Sequence, residues 1–330
     1  MKYFVTGATG FIGSALVRQL RAAGDDVVAL VRDPARAGAL SDQGALLHKG
    51  DVTEPETIRE AMRGTDGVFH VAGWYKLGDR DARAAWAINV DGSRNVLECM
   101  RDLAIPRGVY TSTLAVFSDT HGRVVDEGYR RDGPWLSVYD HTKWAAHCQV
   151  AEPLIEAGLP LIVVQPGAVY GVADVSGIGQ TLRAYLRRRL SAVPGKTAYC
   201  WGHVEDTAMG HILAMRHGSP GQSYIIAGPQ HSLVEALAIA EQVIGIPAPR
   251  MVVPPGVLGG VAAALGALER LPVWPKLPAD QTAEYLRVAA GVTYLGSNAR
   301  AQRELGYAPR PLRQGFEEVL PEELRRLGGA

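Results

Sequence analysis

The stretch that most constrains this chain is Gly7-Ala8-Thr9-Gly10-Phe11-Ile12-Gly13. It follows KYFVTG, which reads as a strand, and runs into residues 12–23, where Ile12, Leu16 and Leu20 recur every four positions as on one helix face. A strand that turns through glycines into a helix can present the first helical N–H groups to a pyrophosphate. Gly7 permits the tight turn, Gly10 a close backbone approach, and Gly13 close packing of helix on sheet. Thr9, Phe11 and Ile12 complete the surface offered to a cofactor. The spacing is G-x-x-G-x-x-G, and its strand–turn–helix setting makes it a dinucleotide-site candidate.

The first half continues as alternating short apolar runs and amphipathic stretches, the pattern of βαβ units around a parallel sheet. VVALV at 27–31, GVFHVAG, GVYTSTLAV and LIVVQPG at 161–167 read as strands. Helices are expected near 55–63, over 82–102 and over 137–157. The expected class is α/β, a Rossmann-like doubly wound parallel sheet with a smaller, mainly C-terminal substrate lobe. Residues 1–167 would form the principal dinucleotide-binding core. Residues 168–330 would form most of the lobe and interleave with elements that complete the core. The uncharged segment 251–268 is expected to be a proline-started helix, buried or lining a pocket.

The second strand ends in Leu30-Val31-Arg32-Asp33. An acidic residue there would suit the ribose hydroxyls of NAD. Arg32, assisted by Arg36, suits the 2′-phosphate of NADP, because guanidinium pairs bidentately with phosphate. NADP is therefore expected over NAD, with Asp33 as the competing sign or a local turn acceptor. Asp51, in GDV, is a candidate for adenine contact or a turn cap.

Tyr139-Asp140-His141-Thr142-Lys143 lies on the 137–157 helix, and Tyr139 and Lys143, four apart, share a face. Lys143 could hold the nicotinamide ribose and favour a Tyr139 phenolate, while Tyr139 exchanges a proton with a carbonyl oxygen. Thr113 ends the preceding strand, where its hydroxyl could hold the same oxygen. Ser112 is the alternative, because one residue of register reverses the face. The set suits hydride transfer, with orientation and electrostatics supplied by the protein.

With TGATGFIG, GDV, HVAG, NVDGSRNVLE, TSTLAVF, YDHTK, QPGAVYG and HVEDTA in this order, the chain resembles the extended short-chain dehydrogenase/reductase family over nearly its whole length. The dihydroflavonol-4-reductase-like and nucleotide-sugar-epimerase-like branches are nearest. The resemblance implies a triad of Thr113, Tyr139 and Lys143, with Thr113 where serine is usual. It implies that Asn89 organises the site and Pro166 lies near nicotinamide. It also implies cofactor contacts from Asp51, Val52, Val71, Ala72 and Gly73. A homodimer built on the two long helices is implied as well. Gln165 stands where arginine is frequent, and Leu114 stands where dehydratases often carry an acid. The expected activity is NADP(H)-dependent reduction of a ketone or aldehyde on a relatively apolar small molecule. A nucleotide-sugar epimerase and a non-enzymatic dinucleotide sensor are the alternatives. Trp74, Tyr75, Tyr170 and Trp201 are candidate substrate contacts.

Lys plus Arg equals Asp plus Glu at 34 each, which disfavours a nucleic-acid partner. Three cysteines without C-x-x-C spacing suggest a reducing, cytoplasmic setting, and the His and Cys residues lack zinc spacing, so no metal is expected. Neither a secretory signal nor a clear membrane span is evident.

Overall fold

The structure, a computed structural model, describes residues 1–328 apart from 77, 79–81, 132, 272–274, 276 and 279–280. Its central sheet comprises β1 (Lys2–Thr6), β2 (Asp26–Val31), β3 (Leu46–Lys49), β4 (Gly67–His70), β5 (Gly108–Thr111), β6 (Leu161–Gln165) and β10 (Ser223–Ile225). All seven are parallel, in the order β10-β6-β5-β4-β1-β2-β3. Strands covered on both faces can be apolar throughout, which is why FVT, VVALV and LIVVQ lack alternation. Phe4 points to one core and Val5 to the other. Helices Phe11–Ala22 and Val204–His217 cover one face through Leu16, Leu20, Ile212 and Met215. The helices at 55–62, 82–102 and 138–156 cover the opposite face through Ile58, Val96, Leu97, Met100, Ala145 and Val150. The strand order reverses between β1 and β4, so the crevice at their C-terminal ends is a natural ligand site.

Both long helices contain a π turn. The first runs from Ala82–Trp86 through π-helical Ala87–Asp91 to Gly92–Asp102. The second runs from Val138–Trp144 through Ala145–Ala151 to Glu152–Glu156, and its N-terminus is capped by the Ser137 hydroxyl. Such widened turns re-aim neighbouring side chains and often lie at functional sites; Asn89 sits within the first. The helix at Pro55–Met62 starts after Glu54, and Asp51, which accepts from Thr53 N, orders its approach.

Beyond Gln165 the chain divides its contributions. Helix Val204–His217 and β10 join the central sheet, whereas the lobe has its own core of Tyr170, Trp201, Leu237 and Phe316. In the lobe, β9 (Ala198–His203) pairs with β7 (Ala168–Tyr170), β11 (Gln230–Ser232) and β13 (Thr293–Tyr294).

The segment 251–268 differs from expectation. Met251–Val253 forms β12 against β8 (Ala192–Pro194), and a helix follows at Pro255–Leu268. Proline occupies the first turn as expected, but Ala262 is its only buried residue, and Val257 and Val261 are at least half exposed. Gly or Ala fills eight of its fourteen positions, so the helix carries little side-chain area to bury. Among the described residues no helix is long and apolar enough to cross a membrane.

Candidate active site

The glycine turn is closed by backbone. Gly7 has φ +69°, and a Cβ there would stand 2.6 Å from Ala72 N. A Cβ on Gly13 would reach 2.1 Å from Gly7 O, so the helix can approach the turn only without a side chain. Gly10 precedes the Phe11–Ala22 helix, whose first turn has no side-chain cap. Thr9 and Gly10 are exposed, Phe11 and Ile12 half-buried. The N–H groups expected to meet an anion are therefore uncovered by any capping side chain.

Beneath the turn lies a network that sequence reasoning did not assign. Thr6 Oγ1 accepts from Val71 N and Ala72 N, both at 3.2 Å, and bonds His70 Nδ1 at 2.8 Å. His70 Nε2 lies 2.9 Å from Ser93 Oγ, which donates to Asn89 O. Burial pushes His70 down to about 3, so its ring is neutral. Because the Ser93 proton is used on Asn89, the network assigns the ring proton to Nε2 and lets Thr6 donate to Nδ1. His70 and Ser93 lie inside HVAG and NVDGSRN, and their buried spacing from Thr6 was the available signal.

At the adenosine end, Arg32 and Arg36 are exposed and make no hydrogen bond or ion pair among the described residues. Asp33 Oδ1 accepts from Ala35 N and caps a short turn. Asp51 Oδ1 accepts from the N–H and hydroxyl of Thr53, while Val52 is buried and its carbonyl accepts from Asn95. Both carboxylates thus have the local turn roles weighed for them. The glycine cradle, the uncapped helix start and the two exposed guanidinium groups fit a dinucleotide carrying several phosphates.

At the other end Thr113 and Ser112 point apart. Ser112 Oγ pairs with buried His147 Nδ1 at 2.9 Å. Thr113 Oγ1 accepts from Ala115 N at 3.2 Å, and its hydroxyl lies near enough to the Tyr139 phenol to ease its ionisation. Burial pushes Tyr139 up to about 12, despite the easing effect of Thr113, and the neighbouring Asp140 raises it further. Lys143 is pushed down to about 7 by burial. Its Nζ donates to Thr111 O at 2.7 Å and Tyr110 OH at 3.3 Å. Burial thus acts on both groups in the same sense, disfavouring the phenolate of Tyr139 and the ammonium of Lys143.

Asn89 connects the two ends. Its Oδ1 accepts from Trp74 N at 2.7 Å, and its Nδ2 donates to Trp74 O and Thr142 Oγ1 at 3.0 and 2.9 Å. Thr142 Oγ1 donates to Tyr139 O at 3.1 Å. A Cβ on Gly73 would come within 3.4 Å of Asn89 Oδ1 and 3.9 Å of Lys143 Nζ. Pro166 is buried, and its carbonyl accepts from Leu114 N at 2.9 Å, fixing the loop after β6 beside Thr113.

The four aromatic candidates separate. Trp74 is buried with both backbone groups held by Asn89, and Tyr75 next to it is 53% exposed. Tyr170 and Trp201 do not line an open face. They pack edge-on in the lobe core against Phe316, at 5.4 and 5.9 Å, and Trp201 Nε1 donates to His231 O. Sequence reasoning also missed Tyr110, which ends under Lys143, and the buried contacts of Asp140.

Comparison with known proteins agrees with this arrangement. The profile of the NAD dependent epimerase/dehydratase family matches residues 3–227. A Synechocystis protein provisionally named dihydroflavonol 4-reductase is 34% identical over 260 residues, covering 76% of this chain and 75% of the relative. A Stigmatella aurantiaca protein named 4-hydroxy-2-methyl-3-oxo-4-farnesyl-3,4-dihydroquinoline-1-oxide ketoreductase is 32% identical, covering 95% and 94%. The crystal structure of gox2253 superposes with a TM-score of 0.85 at 30% identity, covering 99% and 98%. The crevice and the glycine turn lie within the matched residues, and the chain belongs to the NAD dependent epimerase/dehydratase family, the NAD(P)-dependent enzymes of the extended short-chain dehydrogenase/reductase type.

Proposed function

We propose that the protein reduces a ketone or aldehyde on a relatively apolar small molecule, with NADPH as the preferred reductant. The observation that carries this reading is the placement of the Tyr139 phenol near the Thr113 hydroxyl, one helical turn from Lys143 and against an apolar cluster. As a phenol, Tyr139 can serve as the proton donor that carbonyl reduction needs there. The surroundings support an apolar substrate: Tyr139 and Leu136 pack against a cluster that includes Leu114, Val116, Phe117 and Tyr294. The names of the Synechocystis and Stigmatella relatives point the same way. Arg32 and Arg36 support the choice of NADPH.

The cofactor, when bound, supplies the hydride. Thr113 and Tyr139 orient the carbonyl oxygen, and Tyr139 OH gives it a proton. The phenolate left on Tyr139 lies one helical turn from Lys143, whose ammonium form stabilises it. Asn89 holds the Trp74 backbone and, through Thr142, the turn that carries Tyr139. The two long helices carry half-buried Trp86 and Trp144, with Trp135 packed on Trp144 just before the second helix, and a homodimer built on these helices is part of this reading.

The test is a screen of carbonyl compounds and nucleotide sugars for substrate-dependent NADPH oxidation. Tyr139→Phe is expected to lose about 100-fold or more in turnover while binding NADPH normally. Comparable turnover in that variant defeats the proton-donor assignment. Inversion of a sugar stereocentre without net cofactor consumption selects the epimerase alternative.

A further inference from the structure

The residue beside the candidate proton donor is itself a buried acid. Asp140 is 1% exposed, although it belongs to the first turn of a helix whose N-terminus is already capped. The Ser137 hydroxyl accepts from Asp140 N at 3.0 Å and donates to Asp140 Oδ1 at 2.7 Å. That local bond would satisfy a cap. The second carboxylate oxygen, Oδ2, instead accepts from Tyr294 OH at 3.0 Å. Tyr294 belongs to β13 in the lobe, where its ring stacks on Tyr199 of β9 at 6.2 Å.

A second carboxylate supports the same joint. Glu284, on the Ala283–Ala289 helix, accepts from Gly78 N at 3.2 Å and acts on the Asp140 carboxyl. The lobe therefore holds the first turn of the Tyr139 helix through Tyr294 and reaches Gly78 through Glu284. The titratable groups facing Asp140 are Tyr294 and Glu284 from the lobe and Tyr139 on its own helix, with Lys143 one turn on. Burial, with Glu284 adding to it, raises the Asp140 carboxyl to about 7. A carboxyl in this setting is costly compared with a neutral cap and is retained where it reaches something a cap cannot.

We propose that Asp140 is a positioning residue for Tyr139: bonded to Tyr294, it ties the first turn of the catalytic helix to the lobe, so that the lobe sets the place of the phenol beside Thr113. The inference rests on Tyr139 being the proton donor, and Tyr139→Phe is carried as a separate control. Ionised Asp140 accepts the Tyr294 hydrogen bond more strongly than neutral Asp140 does, so the joint tightens as pH rises through about 7.

The experiment compares wild type, Tyr294→Phe and Asp140→Asn. Tyr294→Phe, which removes only a hydroxyl, is expected to lower kcat about tenfold with KM within about twofold. Asp140→Asn keeps an acceptor for Tyr294 and should retain most of kcat at low pH. The ratio of wild-type to Asp140→Asn kcat should rise severalfold across pH ~7, a comparison in which Lys143, common to both, cancels. Hydrogen exchange over residues 138–144 of the cofactor-free protein gives a reading independent of turnover. It should be faster in Tyr294→Phe there and unchanged in the 11–22 helix. Wild-type kcat and exchange in Tyr294→Phe, or a pH-independent ratio, overturns the inference. If Tyr139→Phe abolishes turnover at the same time, the reductase reading survives that failure. Full turnover in Tyr139→Phe overturns the reductase reading instead, and the exchange measurement then decides the Asp140–Tyr294 joint alone.

Discussion

Around Gly7 the cleft is walled by backbone, whereas around Tyr139 it is walled by side chains drawn from distant parts of the chain. The first wall consists of Gly7, Gly13 and Ala72 in such close approach that a single Cβ would collide. The second consists of Thr113, Asn89, Thr142, Asp140 and Tyr294, among which Asn89 bonds Thr142 and Asp140 bonds Tyr294 across 154 residues. A backbone wall accepts any ligand of the right phosphate geometry, which suits a cofactor shared by many enzymes. A side-chain wall can be rebuilt residue by residue, which suits a substrate that differs between relatives.

The contrast can be broken at its strongest point first. Gly13→Ala places a methyl 2.1 Å from Gly7 O and must displace the turn. The expected loss of NADPH affinity is about a hundredfold, or ~3 kcal/mol. Fluorescence titration measures it, and wild-type binding would mean that the backbone wall yields.

The second wall is tested through Lys143, whose ammonium is buried. Its folded value of about 7 lies below the ordinary 10.5, so the unfolded chain binds the proton more tightly in that interval. Stability of the cofactor-free protein should therefore fall as pH drops from about 10.5 to about 7. Lys143→Met should flatten this dependence and raise Tm at pH ~6 by a few degrees, roughly the shift expected for 1–2 kcal/mol. Parallel pH curves for the two proteins, followed by thermal denaturation, would show that Lys143 carries no burial penalty.

The smallest expected effect lies where neither wall reaches. Arg32 is exposed, so Arg32→Ala should narrow the NADPH preference over NADH by about tenfold, or ~1.4 kcal/mol, and leave NADH binding unchanged. Equal affinities in the unmutated protein would remove the assignment of Arg32 to a ribose phosphate.

The two walls also differ in how much of them the sequence discloses. Glycines at 7, 10 and 13 could be read because their role depends on local backbone and on the strand and helix beside them. Thr113 and Ser112 could not be separated by pattern alone, and the partner that resolves them, His147, lies on another element. Tyr170 and Trp201 were misassigned because an aromatic residue in a Gly- and Pro-rich stretch looks the same whether it packs or lines a pocket. Phe316, from the last helix, decides the matter. The absence of charge over 251–268 suggested burial, but alanine and glycine make a helix apolar without giving it much to bury. Nothing in the sequence around Asp140 points to Tyr294, 154 residues away, and only the fold brings the two together.

The late arrival of β10 in the central sheet has a consequence on the ribosome. When Gln165 has emerged, β6 is an edge strand with its outer hydrogen-bonding groups unpaired, and Ser223–Ile225 are still to be made. At ~5–20 residues per second that wait lasts roughly 3–12 s, long enough for an open apolar edge to meet another chain. The nascent protein must shield LIVVQ through this interval, and the last strand closes the sheet as a seam closes a vessel already filled.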